Sequence, residues 1–291
     1  MQDSRSMTDD GALDRNDRPS AEELRRNVDR LGEWYQNIDL GEGVLTRPNH
    51  PDGNHPQDRL DFVAPFLPVD LEGKSVLDIG CNAGFFSLEM KRRGARRVLG
   101  IDSNPRFVEQ ARFAARHLEL DVEYREMDCY EIGDLGEQFD VVVFFGVLYH
   151  LRHPLLALDL IRSCCRELML FQTVMWGFSE PIDIPEDFGE REGQRLFSEN
   201  GFPRLYFIEH QFKGDTTNWF VMNRNAALAL LRAADFQLVQ ETAHPEILLV
   251  YPSTGPDGAQ PLRGFEARTQ HRSPTRLQRV SRAVRNVTTS D

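Results

Sequence analysis

Between Val76 and Phe85 the chain reads V-L-D-I-G-C-N-A-G-F. A short aliphatic run ends in an acid, passes Gly80 and Gly84, and enters an apolar segment with helical spacing. Glycines at such a turn let the backbone approach a bound molecule closely, and the crevice beyond the carboxyl ends of parallel strands is where α/β sheets bind ligands. A dinucleotide loop spaces its glycines as G-x-G-x-x-G and seats a pyrophosphate on a helix N-terminus. Here the spacing is G-x-x-x-G, and the charge of Asp78 beside it opposes a pyrophosphate and suits an ammonium group. Two more acids follow: Asp102 ends Gly100-Ile101-Asp102 and Asp128 stands between Met127 and Cys129, at steps of 24 and 26 residues. A fourth apolar run then continues as F-F-G-V-L-Y-H-L-R-H-P, which places Tyr149 and His150 just past it. An imidazole with an unperturbed pKa of about 6.5 can remove a proton at neutral pH. The same residue equally suits a hydrogen bond to a backbone carbonyl that shapes the turn. His153 reads as a helix-entry residue, and His210, beside Glu209, as a second histidine that could reach the crevice or pack on the surface.

The elements that must position these residues are visible as a change of rhythm at Lys74. From there short β-branched runs alternate with helical spacing, the pattern of βαβ units on a mostly parallel sheet. The alternation predicts strands over 75–79, 97–101, 122–127, 139–145 and 168–173, with helices over 83–93, from Asn104 onward, and over 155–164. Asn104 followed by Pro105 supplies an acceptor and a preset φ where a helix must begin. Ser20 with Glu22 and Glu23, ahead of Leu24, Val28 and Leu31, predicts another capped helix. The segment 46–56 is rich in Pro, Gly, Asn and His and reads as loop, with His50 and His55 as turn residues whose rings are solvated. Over 175–218 proline and glycine break the rhythm; helical spacing returns over 225–234, and 236–242 and 247–251 read as two closing strands. A connection that long commonly acts as a lid or binding loop. With the N-terminal helix and Trp34 it is expected to build the acceptor side of the site.

The loop at 76–85 resembles motif I of the class I S-adenosylmethionine (SAM)-dependent methyltransferases, and the later acids fall where that family keeps them. The resemblance implies SAM as cofactor and an α/β fold: a doubly wound, Rossmann-like class I methyltransferase sheet with an insertion, or lid, before the last helix and two closing strands. It implies that Asp78, Gly80, Cys81 and Gly84 form the cofactor loop and that Asp102 takes both ribose hydroxyls. It further implies that Asp128 and Cys129 lie by the adenine and that Phe145 and Tyr149 border the methionyl end. The G-V-L-Y-H stretch is similar to the tRNA wobble-uridine carboxymethyltransferase group, a likeness that runs from Trp34-Tyr35 to the N-W-F-V-M-N stretch over 218–223 and covers roughly residues 34–251. That group holds the extra carboxylate of carboxy-SAM partly with an Arg just before the Asn-aromatic stretch, where this chain has Thr216-Thr217-Asn218. Threonine cannot form the bidentate clamp of arginine, so ordinary SAM is the expected donor. The expected plan is a disordered arm (1–20), an N-terminal helix and loop (21–60), a SAM-binding Rossmann-like core (61–174), a substrate-side insertion (175–222), completion of the core sheet (223–252) and a basic flexible tail (253–291).

Composition narrows the functions. With 291 residues, 40% of them hydrophobic and 27% charged, the chain can bury a sizeable core. The apolar run from Val141 to Leu151 is about half of what a membrane span needs, and Met1 to Asp14 has no apolar signal segment. Neither a span nor a secretory signal is expected. Cys81, Cys129, Cys164 and Cys165 contain no C-x-x-C pair, so no zinc site or disulfide framework is indicated and the cytoplasm is the expected compartment. A net charge of -12 opposes broad binding to a phosphate backbone. The leading expectation is therefore a methyltransferase for a small or medium acceptor of unassigned class, such as a sugar or lipid-linked hydroxyl, with His150 and Tyr149 as the catalytic pair. An RNA methyltransferase and a non-catalytic SAM-binding protein are the alternatives.

Overall fold

The computed structural model describes residues 19–67, 70–177, 180 and 182–253. The expected arm, up to residue 18, and the basic tail, from 254, lie outside the described residues. Five of the runs become parallel strands: β1 (Ser75–Ile79), β2 (Arg97–Asp102), β3 (Glu123–Glu126), β4 (Phe139–Phe145) and β5 (Cys165–Gln172). The insertion contributes a small antiparallel pair, β6 (Leu205–Phe207) and β7 (Phe220–Met222). The closing strands are β8 (Phe236–Glu241) and β9 (Ile247–Pro252), with β9 antiparallel to both β5 and β8. The large sheet runs β3-β2-β1-β4-β5-β9-β8.

Alternation along the strands explains the two cores. Val76, Val98, Val141, Val143, Leu168 and Leu249 point to one face, where α1 (Ala21–Arg30), α2 (Gln57–Val63), α3 (Phe85–Arg92) and α4 (Pro105–His117) pack. Leu77, Leu99, Val142, Phe144, Met169 and Leu248 point to the other, beneath α5 (Pro154–Cys164) and α7 (Arg224–Ala233). Burial on both faces is why β1 and β4 read as nearly continuous apolar runs. Both anticipated helix starts are present: Ser20 and Glu23 form a reciprocal capping box on α1, and the Asn104 side chain accepts from Arg106 N, 3.1 Å, with Pro105 at the first position of α4. Among the described residues no helix is long and apolar enough to cross a membrane.

Three departures from the sequence reading concern the elements around the site. Strand β5 begins at Cys165, earlier than residue 168, because α5 passes into it without a loop. Where proline and glycine break the rhythm, the insertion nonetheless holds α6 (Glu190–Ser198) as well as the β6–β7 pair. His50 is not solvated: it is 6% exposed, its Nδ1 accepts from Asp52 N, and its ring packs 4.9 Å from His55 and 5.4 Å from Tyr35. The 46–56 loop is tied back to the body, with Thr46 Oγ1 donating to Gln36 O at 2.7 Å, and this carries both histidine rings against Tyr35.

Candidate active site

At the carboxyl ends of β1, β2 and β4 a cleft of about 1530 Å³ opens. Asp78, Gly80, Cys81, Asp102, Asp128, Cys129, Phe145, Tyr149 and His150 all line it. Its floor is the turn after β1. Gly80 N and Cys81 N both donate to Ile101 O, at 2.8 and 3.0 Å, which clamps the turn to β2. Gly80 has φ +68°, and a Cβ there would lie 2.4 Å from Val147 Cγ2; Gly84 has φ +89°, and its Cβ would lie 2.4 Å from the Tyr124 hydroxyl. The two glycines are thus required by backbone conformation and by close approach at once. Gly84 does not line the cleft; it sits at the start of α3 against Tyr124. Gln36 buttresses the turn from the N-terminal segment, accepting from Phe85 N at 3.0 Å and donating to Cys81 O at 3.3 Å.

The three strand-end acids sit in different surroundings. Asp102 accepts from Asn82 N and Asn104 N, each at 2.9 Å, so its carboxylate is fixed in place at the cleft wall. Burial raises its pKa, and those two donors offset part of the rise. A carboxylate has about four lone-pair sites, so it retains acceptors for a ligand's hydroxyl pair. Asp78 is 3% exposed and accepts from Ser87 Oγ at 2.6 Å. The alternation that points Val76 toward α3 points Asp78 there as well, and burial pushes its pKa up to about 7 despite the Ser87 hydrogen bonds. Asp128 caps the 3₁₀ turn Cys129–Leu135: its Oδ1 accepts from Tyr130 N at 2.9 Å, while its own N–H donates to Glu131 Oε2. Cys129 is buried, and its thiol is pushed up to about 12 by desolvation.

Opposite this floor, the G-V-L-Y-H turn meets the insertion. Trp219 N donates to Tyr149 O at 2.8 Å, and the Tyr149 and His150 rings lie 4.3 Å apart. Burial raises the Tyr149 phenol pKa, so it stays a neutral donor. Phe145 packs edge-on against Phe86 at 4.8 Å. His150 Nδ1 lies 2.8 Å from Thr217 Oγ1, and Thr217 Oγ1 lies 2.7 Å from Asp215 Oδ1. Desolvation lowers the His150 pKa, and Asp215 pulls against that shift.

Of the other sequence candidates, His153 lines the cleft and its N–H donates to the Tyr130 hydroxyl at 2.9 Å. His210 is exposed and does not line the cleft. Trp34 does not build the acceptor side: it is 3% exposed, with Nε1 donating to Val28 O, and its neighbour Tyr35 faces the cleft in its place. Sequence reasoning missed Gln36, Arg59, Asp215, His244 and Glu246. Of these only Asp215 left a signal, a D-x-T spacing that closes a local turn in which Asp215 Oδ1 accepts from Thr217 N at 2.7 Å. Among the described residues no cluster suited to a metal ion is found.

A glycine turn closing β1, a fixed acid ending β2, and a parallel sheet with one antiparallel strand, β9, next to its edge strand define a class I SAM-dependent methyltransferase. The glycine turn and the anchored Asp102 fit SAM. Residues 53–241 match the family described as a methyltransferase domain, and the chain belongs to that family. Among curated proteins it is 37% identical over 105 residues to a tRNA U34 carboxymethyltransferase of Campylobacter hominis, a match covering 36% of each chain. It is also 38% identical over 121 residues to a ubiquinone biosynthesis O-methyltransferase of Cereibacter sphaeroides, covering 38% of this chain and 47% of that one. The matches therefore span less than half of these relatives' own length. Among solved structures, the N-terminal domain of EvdMO1 with SAH bound aligns with a TM-score of 0.57 at 18% identity, covering 80% of this chain and 96% of that one, a likeness of fold alone.

Proposed function

We propose that this methyltransferase acts on a hydroxyl group of a small or medium acceptor, a sugar or lipid-linked alcohol, with His150 as the general base. The observation that carries this reading is the position of His150. It stands at the cleft wall, where its Nδ1 is bonded to Thr217 Oγ1 at 2.8 Å. SAM, when bound, supplies a methyl group on a positively charged sulfur. Alignment of the acceptor and removal of its proton are then left to the protein. Asp102 is assigned to the ribose hydroxyls, the Gly80–Gly84 turn to close backbone approach, and Phe145 and Tyr149 to the methionyl end.

Two features support the acceptor class. The cleft, at about 1530 Å³, exceeds the usual 300–1,000 Å³ of a single small-molecule site, which leaves room for an acceptor beside the cofactor. Trp176, 65% exposed, lines the cleft, and the exposed Phe207 on β6 packs 6.3 Å from the ring of the cleft-lining Trp219, an apolar neighbourhood suited to an amphiphilic acceptor. Plain SAM as donor is supported by the acid, Asp215, that stands beside Thr217. Of the cleft-lining arginines, Arg224 pairs with Glu241, Arg59 with His244, and Arg152 lies over the Trp219 ring. Four buried free thiols suit a reducing cytoplasm.

An RNA acceptor is the second reading. It is favoured by Arg152 over the Trp219 ring at 4.7 Å and Lys213 over Phe212 at 5.8 Å, because paired cations and rings can hold phosphates and bases. Incubating the protein with methyl-labelled SAM and fractionated cell extract separates the two. Label in glycan, lipid or small-metabolite fractions supports the first reading, and label confined to RNA overturns it.

A further inference from the structure

We propose that Asp215 and Thr217 are positioning residues that fix the tautomer of His150, holding its proton on Nδ1 and leaving Nε2 as the basic atom. The inference rests on the reading of His150 as the base, and it follows from counting protons. Thr217 Oγ1 lies 2.7 Å from Asp215 Oδ1 and 2.8 Å from His150 Nδ1, but a hydroxyl carries one hydrogen. Asp215 is ionised at neutral pH: hydrogen bonds from the Thr217 hydroxyl and backbone N–H hold its carboxyl below the usual carboxylate range, against the opposing effect of burial. An ionised carboxylate only accepts, so the threonine hydrogen belongs to Asp215. The reverse arrangement would set two lone pairs against each other at 2.7 Å. With its hydrogen committed, Thr217 Oγ1 can only accept from His150, so Nδ1 donates. A neutral imidazole has one N–H, and Nε2 therefore holds the free lone pair.

Direct contact does not achieve this. Asp215 Oδ2 is 3.9 Å from His150 Nδ1, beyond hydrogen-bond reach, so the threonine hydroxyl bridges the gap. The turn itself is fixed, since Thr217 N also donates to Asp215 Oδ1 at 2.7 Å and Asn218 Nδ2 donates to Asp215 O at 3.2 Å. When an acceptor hydroxyl gives its proton to Nε2, the ring becomes a cation with both nitrogens protonated. Its Nδ1–H still points to Thr217, and the carboxylate behind Thr217 stabilises the new charge. Proton and charge balance, and no further reactant is needed.

The test reads the tautomer without turnover. Protein labelled with ¹⁵N-histidine is recorded in long-range ¹H–¹⁵N spectra above pH 7.5, and the His150 signals are assigned by their loss in His150→Gln. The expected wild-type pattern is a protonated Nδ1 with an unprotonated Nε2. Thr217→Val, which removes the bridging hydroxyl, and Asp215→Ala, which removes the acceptor and frees the threonine hydrogen to turn toward Nδ1, are both expected to move the proton to Nε2. Thr217→Ser restores the wild-type pattern. A wild-type ring protonated on Nε2, or an unchanged tautomer in both Thr217→Val and Asp215→Ala, overturns the proposal. The base assignment fails separately, through full turnover by His150→Ala.

Discussion

Replacing Asp102 with alanine removes the acceptor that this fold aligns most firmly. Its two carboxylate oxygens accept from Asn82 N and Asn104 N at 2.9 Å each, one donor from the glycine turn and one from the entry to α4. The residue therefore stiffens both walls of the cleft and offers its remaining lone pairs to the ligand. Hydrogen bonds to a charged acceptor contribute roughly 1.5–3 kcal/mol, so losing those to the cofactor weakens SAM binding by about one to two orders of magnitude. The unliganded protein should change little. Two backbone donors lose their acceptor but border a wet cleft, while a carboxylate disfavoured by burial is removed. Titration calorimetry with SAM and SAH, paired with a melting curve, measures both quantities. Asp102→Asn should fall almost as far, because an amide oxygen can accept from only one of the two backbone donors without its NH₂ facing the other. Unchanged affinity in Asp102→Ala, or a loss matched by a fall in the folded fraction, refutes the assignment of the β2 acid to the ligand.

Asp78 makes stability depend on pH. Its pKa is raised from 3.8 to about 7 in the folded chain, so between those values the native state holds a proton the unfolded chain has lost, and stability falls as pH rises through that window. Asp78→Asn should flatten this slope in denaturant titrations of the ligand-free protein; an unaltered slope sinks the idea. For His150, burial lowers the pKa, so the rising limb of the rate profile should lie below about 6.5, and Asp215→Asn should move it lower still, since Asp215 favours the charged ring. A limb above that value contradicts the burial argument. In competition binding, plain SAM should outcompete carboxy-SAM, because Asp215 opposes a second carboxylate next to Thr217; a clear preference for carboxy-SAM would restore the wobble-uridine reading and point to Arg59 or Arg224.

Most of the sheet was legible because each core strand carries its own signal. Val76, Leu77 and Ile79 are buried on alternate faces and end at a turn whose glycines both have positive φ, so composition, periodicity and punctuation agree at one place. The helix caps at Ser20 and Asn104 are equally local. Contacts between distant segments left no such mark. Gln36 reaches the turn at Cys81 and Phe85 across more than 40 positions, and Thr217 meets His150 across 67. Strands β6 and β7 have three residues each, too few to show a period, and every residue of β6 is exposed. Asp78, which the spacing placed beside a ligand ammonium, lines the cleft, but its bond to Ser87 Oγ, nine positions on, is one that the loop motif alone does not show. His50 looked like a turn residue because its burial comes from Tyr35 and His55 rather than from its neighbours in a periodic segment.

The central claim is that His150 takes the acceptor's proton in a cleft that binds SAM without it. Once the labelled fraction has been found, transfer of the methyl label to that acceptor should be compared for wild type and His150→Ala at equal SAM occupancy. A positioned general base contributes about 10² to 10⁴ in rate, so the account predicts a loss of that size with SAH affinity unchanged. Transfer by His150→Ala at the wild-type rate, or a loss that follows cofactor affinity rather than turnover, would contradict it.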